Sequence, residues 1–307
     1  MGNQIIALLA SADENYAVPM AVALHSALFH LSKTARAEVF IADSGITPAT
    51  KARCAKTLRA AHPNMDLHWY RPDLSEFAGI DGGHLTEATF SRIFVSEIVP
   101  EDIDRVLYID CDVVVGDDIS KLWDIDMTGT AFMCALDGPG DTFDMYIRDK
   151  FPEVIAPPET PYFNSGVMLV NLPEWRRREI MIKARDFISR HGHALTHMDQ
   201  CALNAVGVGA WKPLDDWWNT QVAFNLGRTL PGYGILHYTT HKPWVRSAQT
   251  AMADQYFQAY RRARIEGPII DWIKTTELAT AQAYCHWKKR AAHRSRRRLN
   301  RWMGNSA

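Results

Sequence analysis

The first half of the chain alternates short apolar runs with segments of helical periodicity. Ile5 to Ala10 is a continuous apolar run, the pattern of a strand buried on both faces. Val18 to Leu31 follows, with Met20, Leu24, Ala27, Leu28 and Leu31 on one helical face. Ala37 to Ala42 reads as a second strand, ended by Asp43-Ser44-Gly45. Thr47-Pro48 then opens a helix through Leu58, with Thr47 as N-cap and Pro48 in the first turn, where its missing N–H costs nothing. Met65 to Tyr70 predicts a third strand, Thr89 to Val99 a helix stopped by Pro100, and Arg105 to Ile109 a fourth strand. Such alternation builds βαβ units. The expected class is therefore α/β, a mainly parallel sheet with helices on both faces.

After Asp112 the rhythm loosens. Ala131 to Leu136 and Phe163 to Leu172 read as strands, Glu174 to His191 as one helix, and Asp199 to Val206 as a short helix. Trp211 to Trp244 is rich in aromatic residues and proline. No repeat or low-complexity linker breaks the chain. Residues 1–264 read as one domain and 265–307 as a C-terminal helical appendage.

Composition refines this picture in three places. With 307 residues, 47% of them hydrophobic, the chain can bury a large core. The net charge of −1 hides an asymmetry: beyond Glu277 there is no acidic residue but eight basic ones, from Lys288 to Arg301. Tyr284, Trp287 and Trp302 are interleaved with those charges, as in helices that lie in a membrane interface and prefer anionic lipids. The tail is expected to meet an anionic membrane surface and not nucleic acid. The five cysteines are odd in number, widely spaced and without a CxxC pair, which argues against a disulfide framework or a zinc cluster. Met1 to Ile6 carries no basic segment ahead of an apolar one, and no stretch is long enough to span a bilayer. The expected location is cytoplasmic, peripheral on the inner face of the cytoplasmic membrane.

The chemistry concentrates first in Val106-Leu107-Tyr108-Ile109-Asp110-Cys111-Asp112-Val113-Val114-Val115. A buried strand runs into two carboxylates one residue apart, and a second apolar run follows. Like charges so close and so near a core call for a cation. A divalent metal held by two carboxylates usually shares a phosphate as well. The place also fits, because open α/β sheets bind ligands at the carboxyl ends of their strands. Asp117 and Asp118 downstream read as an ordinary solvated turn.

The first strand ends in Ala10-Ser11-Ala12-Asp13-Glu14-Asn15-Tyr16. Asp13 and Asn15 could bond a base and a ribose, with Tyr16 stacking. An Asx turn capping the next helix explains the same residues equally well. The segment is neither GxGxxG nor a P-loop. Leu236-His237-Tyr238-Thr239-Thr240-His241-Lys242-Pro243-Trp244 offers a metal ligand and a cation for a diphosphate. Taken alone, His237 reads as a satisfied core histidine.

Taken in order, these segments resemble glycosyltransferase family 8, the retaining nucleotide-sugar transferases, and within it the bacterial lipooligosaccharide and lipopolysaccharide galactosyl- and glucosyltransferases. The likeness runs from Ile5 to about Trp244. It also rests on Thr89-Phe90-Ser91-Arg92, Tyr162-Phe163-Asn164-Ser165-Gly166-Val167, Asn171-Leu172-Pro173-Glu174-Trp175 and Met198-Asp199-Gln200. The resemblance implies a single Rossmann-like domain of the GT-A type. It implies Mn²⁺, with Mg²⁺ as the alternative, on Asp110, Asp112 and His237. Asp13, Asn15 and Tyr16 would hold the uridine of a UDP-hexose, and Lys242 its diphosphate. Arg92, Asp137, Asn164 and Asp199 would hold the donor sugar, with Cys111 and Ser165 beside it. Gln200 would lie near the anomeric carbon. The acceptor would be a lipopolysaccharide-type glycan, lipid-linked. One departure is visible: Thr240 stands at the family's glycine, and Lys242 lies five positions after His237 instead of six.

The resemblance also implies a chemistry. Retention through a covalent intermediate needs a carboxylate nucleophile, and the matching residue is the neutral amide Gln200. A front-face mechanism follows, in which the leaving phosphate deprotonates the acceptor hydroxyl. Asp199 is the alternative carboxylate. Two other classes remain open on the residues: a metal-dependent sugar nucleotidyltransferase and a non-catalytic nucleotide-sugar binder. The first would need a glycine-rich basic loop where Ser11-Ala12-Asp13-Glu14 stands.

Overall fold

The computed structural model describes residues 5–80, 87–138, 140–225, 230–239, 242–244 and 252–265. The chain opens with β1 (Ile5–Ala12), α1 (Ala17–His30), β2 (Arg36–Asp43), α2 (Pro48–Ala61) and β3 (Met65–Tyr70). A 3-10 segment (Glu87–Phe94) leads into α3 (Val95–Ile98), then β4 (Arg105–Ile109), β5 (Val113–Val115), β6 (Phe132–Cys134) and β7 (Val167–Asn171). The helices α4 (Leu172–Arg177), α5 (Ile180–His191) and α6 (Met198–Val206) follow, then β8 (Trp211–Pro213) and a 3-10 turn (Asp216–Asn219). β9 (Thr220–Gln221), β10 (Ile235–His237) and α7 (Ala253–Ala263) complete the described elements.

Seven strands form one sheet in the order β3-β2-β1-β4-β7-β6-β8, and β5, β10 and β9 form a second. The strands β3, β2, β1 and β4 are mutually parallel, and β7 enters antiparallel between β4 and β6. Strand period decides which core each residue joins. Ile6, Leu8 and Ala10 of β1, with Leu107 and Ile109 of β4, face α1 and α2. Ala7 and Leu9, with Val106 and Tyr108, face the other layer, where Phe94, Trp175, Phe187 and Leu203 come from α3 to α6 and their approaches. A third cluster packs α7, through Tyr256 and Ala259, on Val22 of α1, Val114 and Leu236. Each fully buried large apolar side chain in these layers contributes on the order of 1.5–3 kcal/mol.

Local chemistry fixes the ends of the elements. Thr47 Oγ1 accepts from Thr50 N at 3.3 Å, the expected N-cap of α2. Glu14 reaches across from the β1–α1 loop and accepts from Thr47 N and Thr50 Oγ1, both at 2.7 Å. That clamp fastens the loop carrying Asp13 and Asn15 to a rigid helix.

Three elements depart from the sequence reading. The segment expected as a helix from Thr89 is a 3-10 winding through Phe94, followed by one α turn. Phe90, Ser91, Arg92, Ile93 and Phe94 are all buried, so no solvated face sets an α period. The strand expected from Phe163 begins only at Val167, because Asn164 and Ser165 turn their polar groups to other partners. The long helix from Glu174 is two helices, broken at Glu179, which adopts φ 56°. The break lets Trp175 stay buried while α5 turns its own stripe of Ile180, Ala184, Phe187 and Ile188 inward. Residues 266–307, read as the appendage, lie outside the described residues.

Left-handed backbone costs an ordinary L residue about 1 kcal/mol, and Asn tolerates it best after Gly. Glu179 is exposed, so Glu179→Asn is expected to raise stability by about 0.5 kcal/mol or more without touching the core. Urea unfolding monitored by circular dichroism checks this. A loss of stability would mean that Glu179 has an interaction of its own at the break.

Candidate active site

Three chain segments converge at the carboxyl end of β4. Strand β4 stops at Ile109, the chain turns through Asp110-Cys111-Asp112, and β5 starts at Val113. Strand β10 pairs antiparallel with β5, His237 opposite Val113, and Tyr238 N donates to Asp112 O at 2.9 Å. This register sets His237 beside both carboxylates. One ligand atom from each of Asp110, Asp112 and His237 lies within 4.8 Å of the others. Two carboxylate oxygens and an imidazole nitrogen suit a divalent ion of the Mn²⁺ or Zn²⁺ kind, with positions left for a phosphate. The strand order reverses between β1 and β4, so the cluster stands at the topological switch point, beside Asp13 at the end of β1.

The wall of the cluster is backbone. Gly166 O accepts from Asp110 N at 2.8 Å, which draws Gly166 against the carboxylates. A Cβ there would fall 2.2 Å from His237 Cε1 and 2.7 Å from Asp110 Oδ2. Only glycine leaves room for the ligand set.

Arg92 holds the carboxylates from inside. It is 7% exposed, its guanidinium lies 4.9 Å from the Tyr108 ring centroid, and Nη2 sits 3.0 Å from Asp110 Oδ1. Nη1 donates to Ser165 O at 2.8 Å, tying the Asn164-Ser165-Gly166 turn to the same cation. Nε lies 2.7 Å from Asp199 Oδ2, but off the N–H axis, so that oxygen is without a hydrogen-bond partner among the described residues. Burial raises the Asp199 carboxyl to about 7 despite Arg92, with Asp110 adding to the rise. Tyr108 Oη also donates to Asp110 Oδ1, at 2.8 Å.

On the other carboxylate sits Lys242. Its Nζ pairs with Asp112 Oδ2 and donates to Tyr238 O at 2.8 Å. Burial works against this ammonium, yet the Asp112 charge outweighs it and raises its pKa. Burial likewise works against the Asp112 carboxylate, and Lys242 and His237 hold it below the usual range. The shortened loop thus delivers Lys242 to the carboxylate cluster. Thr240 and His241 lie outside the described residues.

A polar chain orients the rest. Asn164 Oδ1 accepts from Gly166 N and from Asn219 Nδ2, both at 3.0 Å. Asn219 must therefore turn its Oδ1 to His237, whose Nδ1 lies 2.8 Å away. That contact fixes the ring and turns Nε2 toward the carboxylates, 3.3 Å from Asp112 Oδ1, the orientation a metal-binding histidine needs. Gln200 is fixed at both ends of its amide: Nε2 donates to Asp137 Oδ2 at 2.7 Å, and Oε1 accepts from Ser165 N at 3.0 Å.

The remaining expected residues fall as follows. Asp13 Oδ1 accepts from Tyr16 N at 2.9 Å inside the loop, and α1 itself starts after Tyr16 with no side-chain cap. Asn15 is exposed at the end of β1, and Tyr16 packs edge-on against Trp244 at 6.2 Å. The thiol of Cys111 donates to Ser11 O at 2.9 Å, which leaves its backbone as the part available to a ligand. Gly166, Asn219 and Tyr108 were not singled out from the sequence as site residues. The run Asn164-Ser165-Gly166 carried a signal for Gly166; Asn219, inside Trp217-Trp218-Asn219, carried none.

A model of glycosyl transferase family 8 matches residues 7–248. The chain belongs to glycosyltransferase family 8. This family-8 glycosyltransferase is 28% identical to general stress protein A of Bacillus subtilis (strain 168) over 273 residues, covering 83% of this chain and 93% of that one. It is 24% identical to the glycosyltransferase GlyF of Streptococcus pneumoniae serotype 4 over 77% of this chain and 56% of that one. Among solved structures it resembles the galactosyltransferase LgtC in complex with donor and acceptor sugar analogues, with TM-score 0.70, 24% identity, and coverage of 86% of this chain and 98% of that one. That likeness establishes the fold, which is of the GT-A type.

Two outcomes test this geometry. Gly166→Ala should fold but displace His237 or Asp110, weakening divalent-ion binding by about tenfold or more, read by titration calorimetry. The second concerns Asp199, raised to about 7. Between pH ~4 and ~7 the native state holds a proton that the unfolded carboxyl has released, so this group lowers stability as pH rises through that window. His25, lowered to about 4 by burial, acts in the opposite sense. The difference between wild type and Asp199→Asn isolates Asp199: relative to the variant, the wild type should lose stability from pH 5 to pH 7.5 in urea unfolding.

Proposed function

We propose that this glycosyltransferase transfers a hexose, galactose or glucose, from a UDP-sugar to a glycan acceptor with retention at the anomeric carbon. The observation that carries the reading is the Asp110, Asp112 and His237 cluster at the β1/β4 switch point, with a cation, Lys242, already at its edge. The acidic β1 loop supports a uridine contact, through Asp13 and Asn15, over a phosphate cradle. A carboxylate pair completed by an imidazole favours Mn²⁺ over the all-oxygen preference of Mg²⁺.

When bound, the metal supplies Lewis-acid stabilisation to the leaving diphosphate. The chain's residues do the rest. Lys242 adds a positive charge where negative charge builds as the bond to UDP breaks. Arg92, with all its described contacts to protein groups, acts by holding Asp110, Asp199 and the Ser165 turn in place. Asn164 and Asp137 line the donor-sugar side with Ser165. Gln200, clamped between Asp137 and Ser165, presents its amide to the oxocarbenium-like centre and has no carboxylate with which to form a covalent intermediate. The departing phosphate oxygen takes the proton of the acceptor hydroxyl on the same face. The acceptor we propose is a lipid-linked surface glycan, reached through the basic, aromatic segment after Glu277 at the inner face of the cytoplasmic membrane.

A panel of UDP-hexoses with saccharide acceptors, read by UDP release and by the anomeric configuration of the product, tests the reaction. An inverted product would overturn the retaining assignment. Asp112→Asn should lower turnover by about 10²-fold or more and abolish metal-dependent UDP binding. Lys242→Met should bind Mn²⁺ more tightly in the absence of nucleotide, because it removes a competing cation from Asp112, yet bind UDP more weakly. Equal effects in both assays would show that Lys242 only supports the loop.

Removal of residues 278–307 should leave UDP-sugar hydrolysis intact and abolish binding to vesicles containing anionic lipid. Binding of the full chain should fall with salt as its charges are screened. Equal partitioning of full-length and shortened protein would remove the membrane proposal.

A further inference from the structure

At the far end of β5 from the carboxylate cluster lies a second cleft, with a cavity volume of about 390 Å³. About 13 Å of strand separates Asp112 from Gly116 at its edge, at roughly 3.3 Å per residue. The cleft lies between the end of β5, the Trp217 turn and α7, and includes Asp117, Trp217, Tyr233, Gln255, Gln258 and Arg262. None of these residues has a part in the donor chemistry above.

Trp217 is the informative member. It is 39% exposed, although an indole is costly to leave in water. It is also held still. Its Nε1 donates to Asp117 Oδ2 at 3.3 Å, and the ring lies on the backbone of Gly232 and Gly234. A Cβ at Gly234 would come within 2.5 Å of the indole Cδ1, and one at Gly232 within 2.8 Å of Cη2. Two glycines and an aspartate thus keep a flat apolar surface open and rigid at the edge of the cleft.

The polar groups around it are mixed in kind. Asp117 supplies acceptors, Arg262 donors, and the amides of Gln255 and Gln258 both. Tyr233 Oη donates to Gln255 Oε1 at 3.2 Å, which fixes that amide. Arg262 lies 4.3 Å from the ring centroid of Phe29, so its guanidinium is also held in place. Asp117 is paired with Lys121 Nζ at 2.7 Å, so the cations lining the cleft reduce to Arg262, with His30 beside it. Among the described residues no cluster of cations lines the cleft to invite a phosphate, and no wholly apolar wall invites a lipid chain. A ligand with one apolar face and a rim of hydroxyls matches: the C–H face of a pyranose on Trp217, and its hydroxyls on the amides, Asp117 and Arg262.

We propose that this cleft is a second carbohydrate-binding site, for a neutral hexose unit of an oligosaccharide, separate from the donor site. The proposal stands whether or not the UDP-hexose reading of the donor site holds.

Saturation-transfer NMR on the full chain tests it, with lactose, maltotriose and chitotriose as probes and tri-galacturonic acid as the charged control. The expected result is saturation of at least one neutral probe that persists in saturating UDP and Mn²⁺. Trp217→Ala should weaken it by about tenfold or more. Because Trp217→Ala also removes packing on the glycines, Gln258→Trp is the second variant. It fills the cleft from an exposed position on α7, and it should abolish the signal while leaving UDP release unchanged. Displacement of the neutral probe by UDP would place it in the donor site and overturn the proposal. So would undiminished binding in Gln258→Trp, binding of the acidic probe alone, or the absence of binding by every neutral probe.

Discussion

The site depends on one buried cation. Arg92 sits almost without solvent between Asp110 and Asp199 and over the ring of Tyr108, and it also holds the carbonyl of Ser165. A guanidinium is the side chain for this place, since its planar fork serves several acceptors at once and keeps its charge when buried. Without it, two carboxylates would face each other in a poorly solvated interior and one would take up a proton. Asp199 is already part of the way there. Arg92 and Tyr108 both point donors at Asp110.

Charge and orientation are solved by different parts. Arg92 and Lys242 meet the acidic groups from opposite sides of the cluster. The amides carry no charge and set direction instead. Asn164, Asn219 and Gln200 each use both ends of the side chain, so every donor and acceptor assignment constrains the next. The imidazole of His237 is the last link, and its Nε2 ends up facing the carboxylates. Such a network is preorganised: little must move when a ligand arrives.

Much of this was legible in the sequence. The runs at Ile5, Ala37 and Arg105 announced the parallel half of the sheet, because strands buried on both faces leave few polar positions, while Met65 to Tyr70 is the half-exposed edge strand. Asp110, Asp112 and His237 were legible as an ordered motif set, and the structure brings the three together. Elements covered by core on all sides, such as the segment from Phe90 to Phe94, were misread because a helix without a wet face has no period to show. The break at Glu179 was hidden because nothing local marks a left-handed residue that is not glycine. Asn219 was invisible for a different reason: its role comes from a partner 18 positions away, across two strands. The pairing of buried Asp199 with Arg92 is a relation that only the fold creates.

The turn from Asp110 to Asp112 has a mechanical meaning too. It is where the seven-stranded sheet hands the chain to the three-stranded one, and His237 belongs to the smaller sheet. An ion bound there would be a cross-link between two layers whose residues are far apart in the chain, closed and opened by occupancy. Catalytic readiness and the rigidity of the joint between the sheets are then one variable. The far cleft is walled by the same β5, at the end of that strand away from the cluster.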